Sequence, residues 1–247
     1  MFKHVTYIDR WRIQKIMYRV EDKFCCGKKD MHVLESRLSP VLESDHMVNE
    51  YGYTITSIYF DDIFDTCLKE TIDGNFKREK YRIRIYNNSF DVIKLEVKFK
   101  EYNRIKKKAC TISKDEMLML LNAQCIERGE QNVDNPIVLF NMAIKNKGLR
   151  PKVIVEYDRR AFIFEHGNVR ITLDRNLRYS KQCKNFGKES ITYRRIGQWE
   201  DVLEVKYDEF LPDFIAQLLE IGDLKRTSFS KYQICRLANE EERNEYK

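Results

Sequence analysis

The segment Arg78-Glu79-Lys80-Tyr81-Arg82-Ile83-Arg84-Ile85-Tyr86 alternates charge with apolar bulk. Successive side chains of a strand point to opposite faces, so Arg82 and Arg84 share one face while Tyr81, Ile83 and Ile85 take the other. The pattern recurs along the chain. Lys94, Glu96, Lys98 and Lys100 stand opposite an apolar row; Glu21 goes with Lys23, Tyr157 with Arg159, Glu204 with Lys206, and Arg170 with Thr172 and Asp174. Such a chain is constrained to a sheet with one covered apolar face and one charged face that meets water or a ligand.

Periodicity alone allows both. Cross-strand Lys–Glu pairing on a solvated face accounts for the alternation. The composition of these faces argues for a ligand, since they concentrate Arg and Lys, with Glu inserted at Glu21, Glu96 and Glu204. If the sheet closes into a barrel with helices outside, the charges line its interior. Like charges crowded there repel strongly unless a polyanion fills the space.

With 247 residues, 43% of them hydrophobic, and four prolines, the chain can bury the core of one large domain or two small ones. No linker, repeat or low-complexity stretch divides it, so it reads as one domain. A net charge of +6 permits a phosphate-rich ligand without establishing one. Seven cysteines without a CxxC pair and four scattered histidines argue against a zinc site or a disulfide framework and fit a reducing cytoplasm. The opening residues, MFKHVTYIDRWRIQ, interrupt with charge the apolar run that a signal peptide needs, and no segment approaches the roughly 20 apolar residues of a membrane span. The expectation is a cytoplasmic protein with no membrane span of its own.

Strands are expected at Tyr18 to Phe24, Tyr53 to Phe60, Lys80 to Tyr86, Val92 to Lys100, Lys106 to Ile112, Val153 to Phe164, Val169 to Leu173 and Val202 to Tyr207. Asn87-Asn88-Ser89 and His166-Gly167-Asn168 supply tight turns, so the sheet is mainly antiparallel. Helices are expected from Lys28 to Leu42, after a capping box at Ser113 to Glu116, from Asn135-Pro136 to Gly148, from Asp208–Pro212 to Gly222, and from about Ser230 into a charged tail that frays. The fold class is α+β.

Arg presents a fork of donors that matches two phosphate oxygens, and Lys adds compact charge. Carboxylates among these cations make sense once a divalent metal bridges them to phosphate oxygens. Phosphoryl transfer requires positioning and charge stabilisation, so no Ser–His nucleophile pair is needed, and none is evident.

The ordered motifs Y-x-x-E-D-K-F, S-I-Y-F-D-D, R-E-K-Y-R-I-R-I-Y, I-K-L-E-V-K, R-P-K-V-I-V-E-Y-D-R-R-A-F, N-V-R-I-T-L-D, V-L-E-V-K-Y and S-F-S-K-Y closely resemble the VTC domain, the polyphosphate polymerase domain of the vacuolar transporter chaperone family. The resemblance spans about residues 15–237, within a single domain of 1–247 whose charged tail is 238–247. It implies a triphosphate tunnel metalloenzyme: an antiparallel β-barrel forming a tunnel, with helices packed around it. The implied activity transfers the terminal phosphate of ATP to a growing polyphosphate, with Mn2+ or Mg2+ as cofactor and a membrane protein as a candidate receiver of product.

Carried over by motif, Lys23, Arg82, Arg84, Lys98, Arg159, Arg170 and Lys231 match catalytic cations. Lys107, Tyr157, Ser230, Lys206 and Glu21 match substrate-binding positions, with Lys107 chosen from the run Lys106 to Lys108. Glu204 matches the metal-binding glutamate, and Glu96 is either a second metal ligand or a salt-bridge partner of a tunnel cation. Two other readings keep the fold. A triphosphatase would use water as acceptor; such relatives usually show E-x-E-x-K, where this chain has Arg19-Val20-Glu21-Asp22-Lys23. A non-catalytic polyphosphate-binding module would bind without turnover. Nucleic-acid binding is not expected, because no RNP-like or helix-turn-helix pattern is present.

Overall fold

The computed structural model describes residues 20–45, 52–102, 104–129, 132–196, 201–222, 224–228 and 230–245. Tyr18 and Arg19 of the first motif, and Phe229 of the last, lie outside them. In chain order the elements are β1 (Val20–Cys26), α1 (Lys28–Leu38), β2 (Glu43–Ser44), β3 (Tyr53–Asp61), α2 (Thr66–Ile72), β4 (Lys77–Tyr86), β5 (Ser89–Glu101), β6 (Arg104–Ile112), α3 (Lys114–Leu121), α4 (Pro136–Lys147), β7 (Arg150–Phe164), β8 (Val169–Ser180), β9 (Arg194–Arg195), β10 (Asp201–Tyr207), α5 (Asp213–Leu219), β11 (Lys225–Arg226) and α6 (Lys231–Glu245).

Local signals explain most boundaries. Ser113 Oγ accepts from Glu116 N while Glu116 Oε2 accepts from Ser113 N, closing the capping box of α3. Asn135 caps α4 ahead of Pro136, and Gly148 ends that helix at φ 65°. Helix α1 stops at Leu38 rather than Leu42: Ser39 keeps helical dihedrals, but Pro40 has no N–H with which to continue the ladder. Strand β8 runs on to Ser180, past the expected Leu173. Asn176 at φ 56° and a register shift against β7 break the alternation there while pairing continues. Helix α6 extends through most of the charged tail, whose Glu and Arg residues favour helix.

All pairings are antiparallel, along the path β11-β1-β10-β8-β7-β3-β4-β5-β6, with β2 on β7 and β9 on β8. The expected closed barrel is corrected: among the described residues the hydrogen-bonded path does not return from β6 to β11. The sheet nevertheless curls, since Lys98 Nζ of β5 comes within 3.7 Å of Glu21 Oε1 on β1. The result is a trough.

Its convex face is apolar and covered by two core clusters. Met31, Leu34 and Leu38 of α1 and Ile215 of α5 pack with Ile171, Leu173, Leu203 and Val205. Met117, Leu120, Ile137 and Phe140 of α3 and α4 pack with Ile83, Ile85, Leu95 and Val97. Burying each of these aliphatic side chains contributes about 1.5–3 kcal/mol, which fixes which face of each strand is turned from the core. Helix α6 departs from the expectation that all helices lie outside. Its Tyr232 stacks on Tyr59, and Ile234 packs with Val202, both on the concave face, so α6 stoppers one end of the trough. No disulfide joins the seven cysteines. Among the described residues no helix is long and apolar enough to cross a membrane.

Candidate active site

The register carries the charged face across the sheet. Lys23 stands opposite Glu204 and Glu21 opposite Lys206; beyond them Glu204 faces Thr172 and Lys206 faces Arg170. Arg159 pairs with Asp174 and Tyr53, Arg82 with Glu96, Lys80 with Lys98, and Lys98 with Lys107. Every residue carried over from the motifs on β1, β4–β8 and β10 therefore lies on the concave face, and Ser230 and Lys231 reach it from the start of α6.

On the β1–β10–β8–β7 side, carboxylates and cations interlock. Lys23 lies 2.8 Å from Glu21 and 3.8 Å from Glu204, and Lys206 lies 3.0 Å from Glu204 and 3.9 Å from Glu21. Burial works to raise the Glu204 carboxyl, but Lys206 and Lys23 beside it hold it well below the usual range. Burial likewise works against the Lys23 ammonium, and Glu204 and Glu21 outweigh it, so its pKa is raised. Arg159 holds Asp174 through two hydrogen bonds of 2.6 and 2.7 Å, and Lys231 reaches the same carboxylate at 2.6 Å while lying 4.7 Å over the Tyr157 ring. Burial pushes the Tyr157 phenol up, but Arg159, Arg84 and Lys231 pull it below its ordinary value. Arg170, farther along, is held by Asp45 at 2.5 Å and donates to the Tyr53 hydroxyl at 3.2 Å.

On the β4–β5–β6 side the balance changes. Glu96 is buried, with Oε2 taken by Arg82 at 2.5 Å and Oε1 by Lys107 at 3.1 Å. Arg84 is also buried, and its described partners are hydroxyls: Ser57 at 3.2 Å and Tyr157 at 3.3 Å. Lys80 donates to Ser230 Oγ at 2.9 Å and lies 5.7 Å over the Tyr232 ring. Burial, then Arg78, Lys98 and Lys23, depress Lys80 to about 7. Burial, offset in part by Glu21 and aggravated by Lys23 and Lys206, depresses Lys98 to about 8.

Sequence reasoning singled out Lys107 within its run, and the register places it on the trough face, whereas Lys108 turns to Asp134 and the Phe99 ring. It placed Asp174 on the charged face without giving it a role, and it passed over Lys80 and Tyr59. Lys80 continues the alternation already visible in R-E-K-Y-R-I-R-I-Y, so period two could have found it. Tyr59, whose hydroxyl accepts from Arg82 at 3.0 Å, carries no comparable signal.

A divalent metal can be tested against the donors present. Among the described residues no group of three or more His, Cys, Asp or Glu is arranged to hold one. Glu204 and Glu21 are adjacent, and Thr172 Oγ1, opposite Glu204 in register, is buried with no hydrogen-bond partner. This sparse set of oxygen donors fits a hard cation that takes the rest of its ligands from phosphate and water.

The fold is shared with solved structures. A candidate adenylate cyclase of Vibrio parahaemolyticus superposes with a TM-score of 0.51 at 14% identity, covering 88% of this chain and 97% of that one. A candidate adenylate cyclase of Bacillus halodurans gives 0.50 at 14% identity, covering 87% and 95%. At these identities what is shared is the fold. The chain itself belongs to the VTC domain family, which it matches over residues 18–238. No curated protein matches it.

Proposed function

We propose that the protein is a polyphosphate polymerase that moves the terminal phosphoryl group of ATP onto the end of an inorganic polyphosphate chain, within a tunnel that the trough forms around its ligand. Family membership supports this reading. The observation that carries it is the excess of cations over carboxylates along β4 and β5, where burial, and beside it neighbouring cations, depress Lys80 and Lys98.

In the proposed step, a terminal oxygen of the acceptor chain forms a new bond to the γ-phosphorus. The bond from that phosphorus to the β–γ bridging oxygen breaks, and ADP departs with the electron pair. Arg82 and Arg84 present their guanidinium forks to the phosphates from β4, while Lys23, Arg159, Arg170 and Lys231 face them from the opposite wall. Tyr157 and Ser57 hold Arg84 without neutralising it, so its charge stays available as negative charge develops. Lys206 and Glu21 set the Glu204 carboxylate, and Ser230 does the same for Lys80. Glu96 lies between Arg82 and Lys107 with no second carboxylate among the described residues of the β4–β5 face, so we assign it the orientation of those cations rather than the metal. Glu204 and Glu21, with Thr172 beside them, would hold Mn2+ or Mg2+, which supplies charge neutralisation between phosphate oxygens. Arg19, in place of the first glutamate of E-x-E-x-K, removes a carboxylate that a two-metal hydrolytic site would use, which favours transfer over hydrolysis.

The test is incubation of purified protein with ATP, Mn2+ and short polyphosphate primers, followed by sizing of the polymer. Chain growth with stoichiometric ADP is expected. Phosphate release without polymer would replace this reading with a triphosphatase, and tight chain binding without turnover across metals would replace it with a binding module.

A further inference from the structure

The motif Tyr59-Phe60-Asp61-Asp62 contributes no charge to the trough floor, yet its first aspartate is the most heavily bonded carboxylate near the α6 stopper. Asp61 is fully buried. Its Oδ1 accepts from the backbone N–H of Asp62 and of Cys67, each at 2.9 Å, and its Oδ2 accepts from Leu68 N at 3.0 Å and from the Tyr232 hydroxyl at 2.5 Å. One carboxylate thus ties the end of β3 to the first turn of α2 and to α6. One turn along α6, Arg236 donates to the same Tyr232 hydroxyl at 3.1 Å and pairs with Asp65 at 2.9 Å.

Tyr232 directly follows Lys231. Its ring stacks on Tyr59 at 5.1 Å, and the Tyr59 hydroxyl accepts from Arg82. A displacement of Tyr232 would therefore be felt at Lys231 and Ser230 on one side and at Arg82 on the other. A tyrosine held only by stacking could slide; a hydroxyl bonded to a fixed buried carboxylate cannot. We propose that Asp61 is a positioning residue that, through the Tyr232 hydroxyl, latches the start of α6 so that Lys231 and Ser230 face the trough.

Tyr232→Phe is the variant of choice, because it keeps the stacked ring and leaves the Asp61 cap on α2 intact. The first readout needs no ligand. Acylation of Lys231 by an amine-reactive reagent, followed by mass spectrometry, is expected to run several-fold faster in the variant; an unchanged rate overturns the proposal. The second readout rests on the phosphate-binding reading above and uses tripolyphosphate. Its dissociation constant is expected to rise about tenfold, as for loss of a hydrogen bond to a charged group. Lys231→Ala should cost less in the Tyr232→Phe background than in the wild type, because the two act as one unit. Additive losses would overturn the proposal. Ile215→Val, buried beneath the other core cluster, is the control for general destabilisation: it should leave both readouts unmoved, and a matching change would reduce Asp61 to a fold-stability role. Failure of wild-type protein to bind tripolyphosphate would sink the functional reading, and the acylation arm would still decide the latch.

Discussion

The two walls of the trough treat the same electrostatic problem differently. On the β1–β10–β8–β7 side, Lys23, Lys206 and Arg159, joined by Lys231 from α6, each touch Glu21, Glu204 or Asp174. On β4 and β5, Arg78, Lys80, Arg82, Arg84, Lys98 and Lys100 share the face with one carboxylate, Glu96. Lys98 has to reach across to Glu21. Internal counter-ions fix cations in place before any ligand arrives, whereas a surplus of cations stores repulsion that an incoming anion relieves. The first wall is built for geometry and the second for attraction.

The largest expected effect comes from breaking the neutralised wall. Glu204→Gln takes from Lys206 its nearest carboxylate and leaves Lys23 and Arg159 to Glu21 and Asp174, so thermal melting should show a loss of about 3 kcal/mol, the scale of a broken buried pair. On the proposed polymerase reading, synthesis should fall about 100-fold or more, since an organising charge is gone. A variant as stable as the wild type would show that the carboxylate is not a counter-ion.

Lys80→Met tests the surplus wall and should act in the opposite sense on stability. The folded pKa of Lys80 lies near 7, below the 10.5 of an unperturbed lysine. Between these values the unfolded chain binds more protons than the folded one, so wild-type stability rises with pH across that window; below about 7 the cost of the buried charge is present in full. The methionine variant should lose that slope and be more stable at neutral pH, while its affinity for tripolyphosphate drops about tenfold. Denaturant melts across pH 6 to 10, with and without tripolyphosphate, measure both, and an unchanged slope would refute the crowding argument.

The smallest effects separate neighbours in one run. Lys107→Ala frees one Glu96 oxygen and should weaken chain binding several-fold. Lys108→Ala, off the trough face, should change it less than about twofold, as for an exposed ion pair. The reverse order, with Lys108→Ala the costlier, would mean that β6 pairs one residue out of register with β5.

Much of this was legible beforehand. The alternation located the main strands and the inward row of charges, and Ser113, Asn135 and Gly148 announced helix ends. Helix α2 escaped because seven residues are too few to show a helical period, and it starts after Asp65, a non-glycine residue at φ 56°. The placement of α6 also escaped, because its apolar residues suit a concave wall as well as a convex one. Asp174 was read as one more charge in a row, although its meaning lies in its distance to Arg159 and Lys231.

The sequence by itself determined which side chains share a strand face, because period two and capping are local properties of a few consecutive residues. Only the tertiary structure decided that the sheet curls without closing its hydrogen-bond path among the described residues, that α6 enters the trough, and that one wall is neutralised while the other is not. Coulomb energy depends on separations of a few ångströms between strands remote in the chain, such as Lys23 and Glu204, and strand register sets those separations.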